Sequence, residues 1–574
     1  MMHQSIKDHG DHAELMKWRF PFIFSIFVLF FLLIIGRLFY WQVVKADMLS
    51  ELAQSQYNGS VSIKPERGEM KTSDGFPLVA NKISYLLFVN PTQIKNKDQT
   101  TKTLSSLLNV PRASISALLL PGRLWVAIKS GIEAREKERI ENLRIPGVGF
   151  EEGYARFYPE ASMAAQLTGF VGKDDIGQDK GYGGLEGVYD RLLTGKQGYS
   201  IGKYDALGRP IISESTTVNN GFDGSDLLLS LDRSIQFLVE NKLKEGIRKY
   251  GALGGMIGIM DPKTGDILAM ASSPSFSQAE YWKYDENLYV NPFIANTYEP
   301  GSTLKPLVMS AALDAGVIKP ETKCNICGGP ISVSGYELHT WNDKYYKDTN
   351  MIEVIQHSDN TGMIFVAKKL GADRMIDYLT RFGIGKLTDI DLQGETAPAL
   401  KARSAWYDVD LATTGFGQGV SITPIELLTA FSALANGGKL MQPRVVVSIE
   451  NQDGKITKVP PRVLGTPISK KTAEVMTEIL VNAVEKGEAQ WCKLKDYRVA
   501  GKTGTASIPL KGKYDPSSTI ASFIGYAPAE APKFIMLVIL EKPTSSIYAS
   551  ETAAPLFFDL AHNLLEYYDI SPSK

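Results

Sequence analysis

At 574 residues, 44% hydrophobic and 22% charged, the chain has room for two or three domains and a large core, and no long low-complexity run removes it from the globular class. Its 62 Lys and Arg against 63 Asp and Glu leave a formal net charge of -1 with no basic stripe, which argues against a nucleic-acid partner. Six histidines, none in an H-x-x-x-H or H-x-x-E pattern, argue against a catalytic metal.

Phe20 to Gly36, FPFIFSIFVLFFLLIIG, is apolar apart from Ser25. As a helix it spans roughly 26 Å, a little under the ~30 Å of a bilayer core. Arg37 can snorkel outward, and residues 38–44 continue the apolar surface with an aromatic belt. Bulky Leu38, Phe39, Tyr40 and Trp41 stand where a secretory signal would need small residues for cleavage. Residues 20–44 are therefore expected to form an uncleaved single-span anchor behind a cytoplasmic tail, residues 1–19. Lys7, Lys17 and Arg19 precede the span and favour a cytoplasmic N-terminus, which leaves the remaining body outside the cytoplasm.

Residues 45–225 read as short strands and turns with some helix. YLLFVNP (85–91) predicts a strand ended by a turn, and TSDGFP (72–77) predicts a hairpin. Residues 166–209 are rich in glycine and acidic turn residues. Nothing here clusters the groups that chemistry needs, so a support or docking module is expected.

A new pattern starts at Asp226. DLLLSLDRSIQFLVENKLKEGIRKY predicts a strand and then an amphipathic helix with Ile235, Leu238, Val239, Leu243 and Ile247 on one face. Residues 254–274 predict two apolar strands joined by a D-P-K-T-G turn. Helices follow, then three strands between 498 and 541 and a closing helix at 552–568. This order predicts an α+β domain over 226–574: one antiparallel sheet built from both ends of the domain, including the strand at 226, against a helical lobe. Among the three cysteines, the pair Cys324-x-x-Cys327 is followed by Gly328-Gly329-Pro330 and lacks a second ligand pair for zinc. A loop pair is expected, either free or locally bridged.

TYEPGSTLKP (297–306) places Ser302 three residues before Lys305. A capping serine explains such a stretch, but a nucleophile with its base one turn away explains it too. Leu304, Val308, Ala311 and Ala312 mark a buried helix stopped at Gly316. A lysine becomes a base near neutral pH only if buried or placed beside another cation. Lys502-Thr503-Gly504-Thr505 supplies that cation on a predicted strand, where Gly504 permits close approach and the threonines put two hydroxyls on one face. A second K-T-G at Lys263-Thr264-Gly265 is explained by its turn. QHSDNTGM contains Ser358-Asp359-Asn360 ahead of a helical stretch, which alone reads as a helix cap. S-x-x-K, S-D-N and K-T-G in this order are the signature of serine β-lactamases and penicillin-binding proteins.

On these motifs the chain resembles a class B, monofunctional penicillin-binding protein, closest to the cell-division type. RGEM (67–70), YPEASMAAQLTGFVG (158–172), GLEGVYDRLLTGKQG (184–198), FGQGVSITPIELLTAFSALANGG (416–438) and ASFIGYAP (521–528) extend the likeness over nearly the whole chain. The resemblance implies a penicillin-binding/serine β-lactamase-like transpeptidase domain after an anchor and an elongated β-rich pedestal of the dimerisation type. It implies a bacterial inner-membrane, single-pass enzyme with an extracytoplasmic catalytic domain, cross-linking peptidoglycan stem peptides during division. Ser302 would be the nucleophile and Lys305 its base, with the oxyanion held by the N–H groups of Ser302 and Thr505. Ser358 and Lys502 would pass the proton to the leaving D-alanine, Asn360 would bind the peptide amide, and Thr503, Gly504 and Thr505 would line the carboxylate site. No metal or organic cofactor is implied. Partners would be D-Ala-D-Ala stem peptides, β-lactams, a polytopic glycosyltransferase and division-complex proteins. An elongation-type enzyme, a D,D-carboxypeptidase and a weakly catalytic scaffold stay open. Two departures stand out. Many relatives have S-S-N where Asp359 gives S-D-N, with little effect expected, and YASETAAP (548–555) replaces a Y-G-G form and is expected to alter the loop beside the cleft.

Overall fold

The computed structural model describes residues 11–120, 122–175, 177–204, 210–211, 217–219, 221–510 and 513–572. They fall into two compact units, Met1–Pro65 with Lys196–Phe222 and Glu66–Gly195 with Asp223–Lys574. In the first, the helix Asp11–Phe39 passes through a π-helical turn, Tyr40–Val44, into the helix Ala46–Tyr57. Trp18–Val44 has a mean hydropathy of 2.7 and is long and apolar enough to cross a membrane. The Arg37 guanidinium sits 6.0 Å from the Trp41 ring centre, a cation beside the aromatic belt. The strand Asn58–Ile63 pairs antiparallel with Gly198–Tyr204, which also pairs with Thr217–Asn219 and Pro210–Ile211.

The larger unit is built around a five-stranded antiparallel sheet. Its order is Ile267–Ser273, Gly254–Met260, Phe534–Glu541, Lys513–Ala527 and Ala500–Leu510, so both ends of the domain do contribute to it. Gly254–Met260 is buried at every position, because helices cover both faces of the sheet, and this is why its sequence is continuously apolar. The helices Arg233–Tyr250 and Ala553–Tyr567 cover one face, packing Ile235, Val239, Leu243, Phe557 and Leu564 on Ile257, Phe523 and Val538. The other face meets the helical lobe through Met256, Ile524 and Ile539. Lys263-Thr264-Gly265 forms the hairpin turn, with the Lys263 N–H given to Asp261 Oδ1 at 2.8 Å and Gly265 at a φ of +81°.

The strand at 226 corrects the expectation. Asp226–Leu229 lies in a separate seven-stranded sheet, parallel to Met70–Lys71 and antiparallel to Val446–Glu450. Side-chain chemistry holds it there: Asp226 accepts the Glu69 N–H at 2.7 Å and the Lys71 ammonium at 2.6 Å, while Leu227 and Leu229 are buried. The predicted hairpin at 72–77 joins Met70–Lys71 to Pro77–Val89 in this sheet. Nearby, Glu186 is wholly buried between Arg67 and Arg156. Arg67 also bonds Thr194 and Asp190, and Arg156 bonds Asn81, so one carboxylate ties together four stretches of chain.

Candidate active site

Ser302 stands in a 3-10 turn, Gly301–Thr303, that leads directly into the helix Lys305–Asp314. The turn is wedged between two partners. Gly301 donates its N–H to Gly417 O at 3.0 Å, and Gly301 takes a φ of +56°. On the other side Gly504 presses against it: a Cβ there would fall 2.6 Å from Thr303 Cγ2 and 3.2 Å from Pro300 O. Glycine is thus required at 504 by close approach of the serine turn.

The helix carries Lys305 inward until its side chain is fully buried. Its ammonium donates to Ser358 O at 2.5 Å, to Asn360 Oδ1 at 2.8 Å and to Ser358 Oγ at 3.3 Å. Among the described residues no hydrogen bond joins Lys305 to the Ser302 hydroxyl; the ammonium is bonded to the S-D-N segment. Desolvation first, and then the charge of Lys502, pulls the Lys305 pKa down to about 7, against Asp359 and Glu488, which raise it.

Ser358 holds a left-handed backbone, φ +54°, sparsely populated for a serine. Asp359 then caps the helix Asn360–Leu370, accepting the N–H groups of Thr361 and Gly362 at 2.8 and 3.2 Å. The cap reading of this motif is borne out. Asp359 sits 2% exposed, and its charge favours the Lys305 cation. Asn360 is oriented from both ends, its Nδ2 donating to His339 O at 3.0 Å.

Lys502, Thr503, Gly504 and Thr505 lie on Ala500–Leu510, the edge strand of the central sheet. Lys502 is buried and held below the usual lysine range by desolvation, with Glu488 opposing. Its ammonium donates to Thr503 Oγ1 at 2.9 Å and Thr503 O at 3.2 Å, and no hydrogen bond joins it to Ser358 among the described residues. Thr505 is exposed, and its Oγ1 accepts the Ala549 N–H at 3.1 Å. That bond pins the 548–555 loop, whose buried Ala549 begins a 3-10 turn. Tyr548 meets Trp341 edge to face at 5.6 Å, and Trp341 donates to His357 O at 3.3 Å. Cys324 and Cys327 are disulfide-bonded, which settles the two states left open for that pair.

The structure thus brings Lys305, Ser358 and Asn360 into direct contact, seats the Ser302 turn on Gly504, and brings the Lys502 charge to bear on Lys305. Sequence reasoning missed Glu488, whose Oε2 accepts the Thr503 hydroxyl at 2.9 Å. It lies in a turn outside every motif, and only the pairing of folded segments could have found it.

Comparison with known proteins gives two domain matches. The penicillin-binding protein dimerisation domain matches residues 62–229, and the penicillin binding protein transpeptidase domain matches residues 255–562. Stage V sporulation protein D of Bacillus subtilis is 33% identical over 573 residues, covering 97% of this chain and 87% of that protein. Peptidoglycan D,D-transpeptidase FtsI of Escherichia coli is 28% identical over 583 residues, covering 99% and 95%. Among solved structures, a peptidoglycan synthetase from Bifidobacterium adolescentis superposes with a TM-score of 0.72 at 24% identity, covering 90% of this chain and 98% of that one. Penicillin Binding Protein 2X of Streptococcus thermophilus superposes with a TM-score of 0.71 at 23% identity, covering 89% and 81%. With two domain matches in sequence, a full-length relative at this identity and the same fold, the chain belongs to the class B penicillin-binding proteins, the family of peptidoglycan D,D-transpeptidases.

Proposed function

We propose that the protein cross-links peptidoglycan by serine acyl transfer, in the septal wall during division. The observation that carries this reading is the Lys305 ammonium: fully buried, with its pKa near 7, it begins the helix that follows Ser302 and grips Ser358 and Asn360. A lysine brought there is a base at neutral pH.

Lys305 takes the proton of Ser302 as Oγ bonds the carbonyl carbon between the two D-alanines of a donor stem peptide. The resulting oxyanion lies against the N–H groups of Ser302 and Thr505, each worth about 3 kcal/mol in comparable sites. The C–N bond then breaks. Ser358 delivers its proton to the departing amine and takes up the one held by Lys305, 3.3 Å away, with Lys502 supplying positive charge, and D-alanine leaves. Asn360 holds the peptide amide, and Lys502, Thr503 and Thr505 form the carboxylate end of the cleft. An amine of a neighbouring stem peptide attacks the ester carbonyl and gives a proton to Lys305, which returns it to Ser302 Oγ as the ester C–O bond breaks, and a cross-link remains. A β-lactam stops the cycle at the acyl-enzyme. The anchor at 20–44 holds a pedestal over 45–225 and a catalytic domain over 226–574 on the outer side of the inner membrane, beside a polytopic glycosyltransferase and division proteins.

The test is to treat the full-length, detergent-solubilised protein with a fluorescent penicillin and map the adduct. A stable adduct on Ser302, lost in Ser302→Ala, is expected. Labelling that persists in Ser302→Ala overturns the nucleophile, and hydrolysis without transfer to a supplied amine overturns transpeptidation in favour of carboxypeptidation. Uniform side-wall fluorescence of the tagged protein would overturn the septal role. The name of the Bacillus relative favours a second setting, wall synthesis in sporulation, which expression confined to spore formation would support.

A further inference from the structure

Glu488 stands in the turn after the helix Lys470–Lys486 and reaches across to the Lys502 strand. The Thr503 hydroxyl donates to Glu488 Oε2 at 2.9 Å and accepts from Lys502 Nζ at 2.9 Å. A hydroxyl has a single proton to give. With that proton on Glu488, Thr503 has no donor left for a ligand. Thr505 is in the opposite condition, because its oxygen accepts the Ala549 N–H and its proton stays available. The two threonines of one strand face are therefore not equivalent.

We propose that Glu488 is a positioning residue of the acyl-transfer site: through the Thr503 hydroxyl its carboxylate anchors the Lys502 ammonium, so that the donor's carboxylate is bound by Thr505 and Lys502 while Thr503 stays engaged with Glu488. The inference rests on the acyl-transfer reading above and adds a residue to it. It also accounts for a buried cation. Lys502 is 4% exposed, and an ammonium so placed sheds its proton unless a counter-charge faces it. Glu488 is that counter-charge, favouring the charged form against desolvation. It acts in the same direction on Lys305, beside Asp359 and against Lys502. Among the described residues, Glu488 thus bears on both lysines, and Asp359 on Lys305.

Glu488→Gln separates charge from hydrogen bond, since the amide oxygen still accepts from Thr503. The readout is the second-order rate of penicillin acylation against pH for the full-length protein. Its acid limb follows proton loss from Lys305, and its alkaline limb follows proton loss from Lys502. In Glu488→Gln both limbs should move to lower pH by about half a unit or more, because the carboxylate that favours both cations is gone. Glu488→Ala, which also releases Thr503, should move the limbs the same way and raise the penicillin concentration for half-maximal labelling about tenfold. Limbs in Glu488→Gln that superimpose on those of the wild type overturn the proposal, as does a uniform fall in rate with the limbs unmoved. If Glu488→Ala does not fold, the Glu488→Gln limbs still decide. Failure of the wild type to form the Ser302 adduct is a different result, and it overturns the acyl-transfer reading itself.

Discussion

Gly504 and Thr303 touch with no space for a side chain between them: a Cβ on the glycine would stand 2.6 Å from the threonine methyl and 2.6 Å from Ser522 Oγ. The serine turn rests on the strand at this point. Gly504→Ala has to push the turn or the strand aside. It should cost about 1–3 kcal/mol of stability, read by thermal melting. Displacement of the Ser302 turn should lower the penicillin acylation rate at least about tenfold. Wild-type acylation in Gly504→Ala would mean that the contact gives way freely.

The depressed Lys305 predicts the direction of a pH limb. Below its pKa of about 7 the lysine is protonated and cannot accept from Ser302. The acylation rate should therefore fall about tenfold for each pH unit below it, and level off above it until the alkaline limb set by Lys502 begins. Rates measured between pH 5 and 9 (a range of about four units) check this, and a limb near the ordinary lysine value would contradict burial as the cause.

Asp359 favours the Lys305 cation, so removing its charge should let the proton go more easily. Asp359→Asn keeps the helix-capping oxygen at the same place and removes the charge. The acid limb should move to lower pH, with a melting temperature close to the wild type. An upward move of the limb would show that Asp359 acts by some other route.

Glu186 is wholly buried and shared by Arg67 and Arg156. Glu186→Ala leaves two guanidinium groups without their common partner. Breaking a buried pair from one side costs about 3–5 kcal/mol. Denaturant unfolding of the detergent-solubilised protein should show a loss of that size, and a loss under about 1 kcal/mol would mean that water replaces the carboxylate.

The legible parts of this protein were those written in local pattern. The anchor, the hairpin at 254–274, the closing helix and the three motifs each announce themselves within a dozen or so residues. Ser302 could be read as a helix start, and it does precede one; Asp359 could be read as a cap, and it is one. What was hidden depends on pairing between distant stretches. The strand Asp226–Leu229 looks like any other apolar strand, and its sheet is decided by a carboxylate meeting Glu69 and Lys71. Glu488 lies in a turn that carries no signature, and its meaning comes only from the strand brought beside it. The direction of the Lys305 and Lys502 ammonium groups, toward Ser358 and Thr503, is likewise a matter of side-chain packing that motif spacing does not encode.

The central sheet has a consequence for when the enzyme comes to life. Gly254 pairs with Glu541, and the strand bearing Lys502 is attached through Lys513–Ala527 to Phe534–Glu541. A nascent chain that has reached only Ser302, Lys305 and Ser358 still lacks the wall against which the serine turn rests. Such a chain should form no penicillin adduct, which labelling of a chain ended before Ala500 would check. Contacts this remote in sequence also make assembly slow. Premature termination anywhere before the last strands should therefore leave a chain with its serine turn but without the strand that supports it.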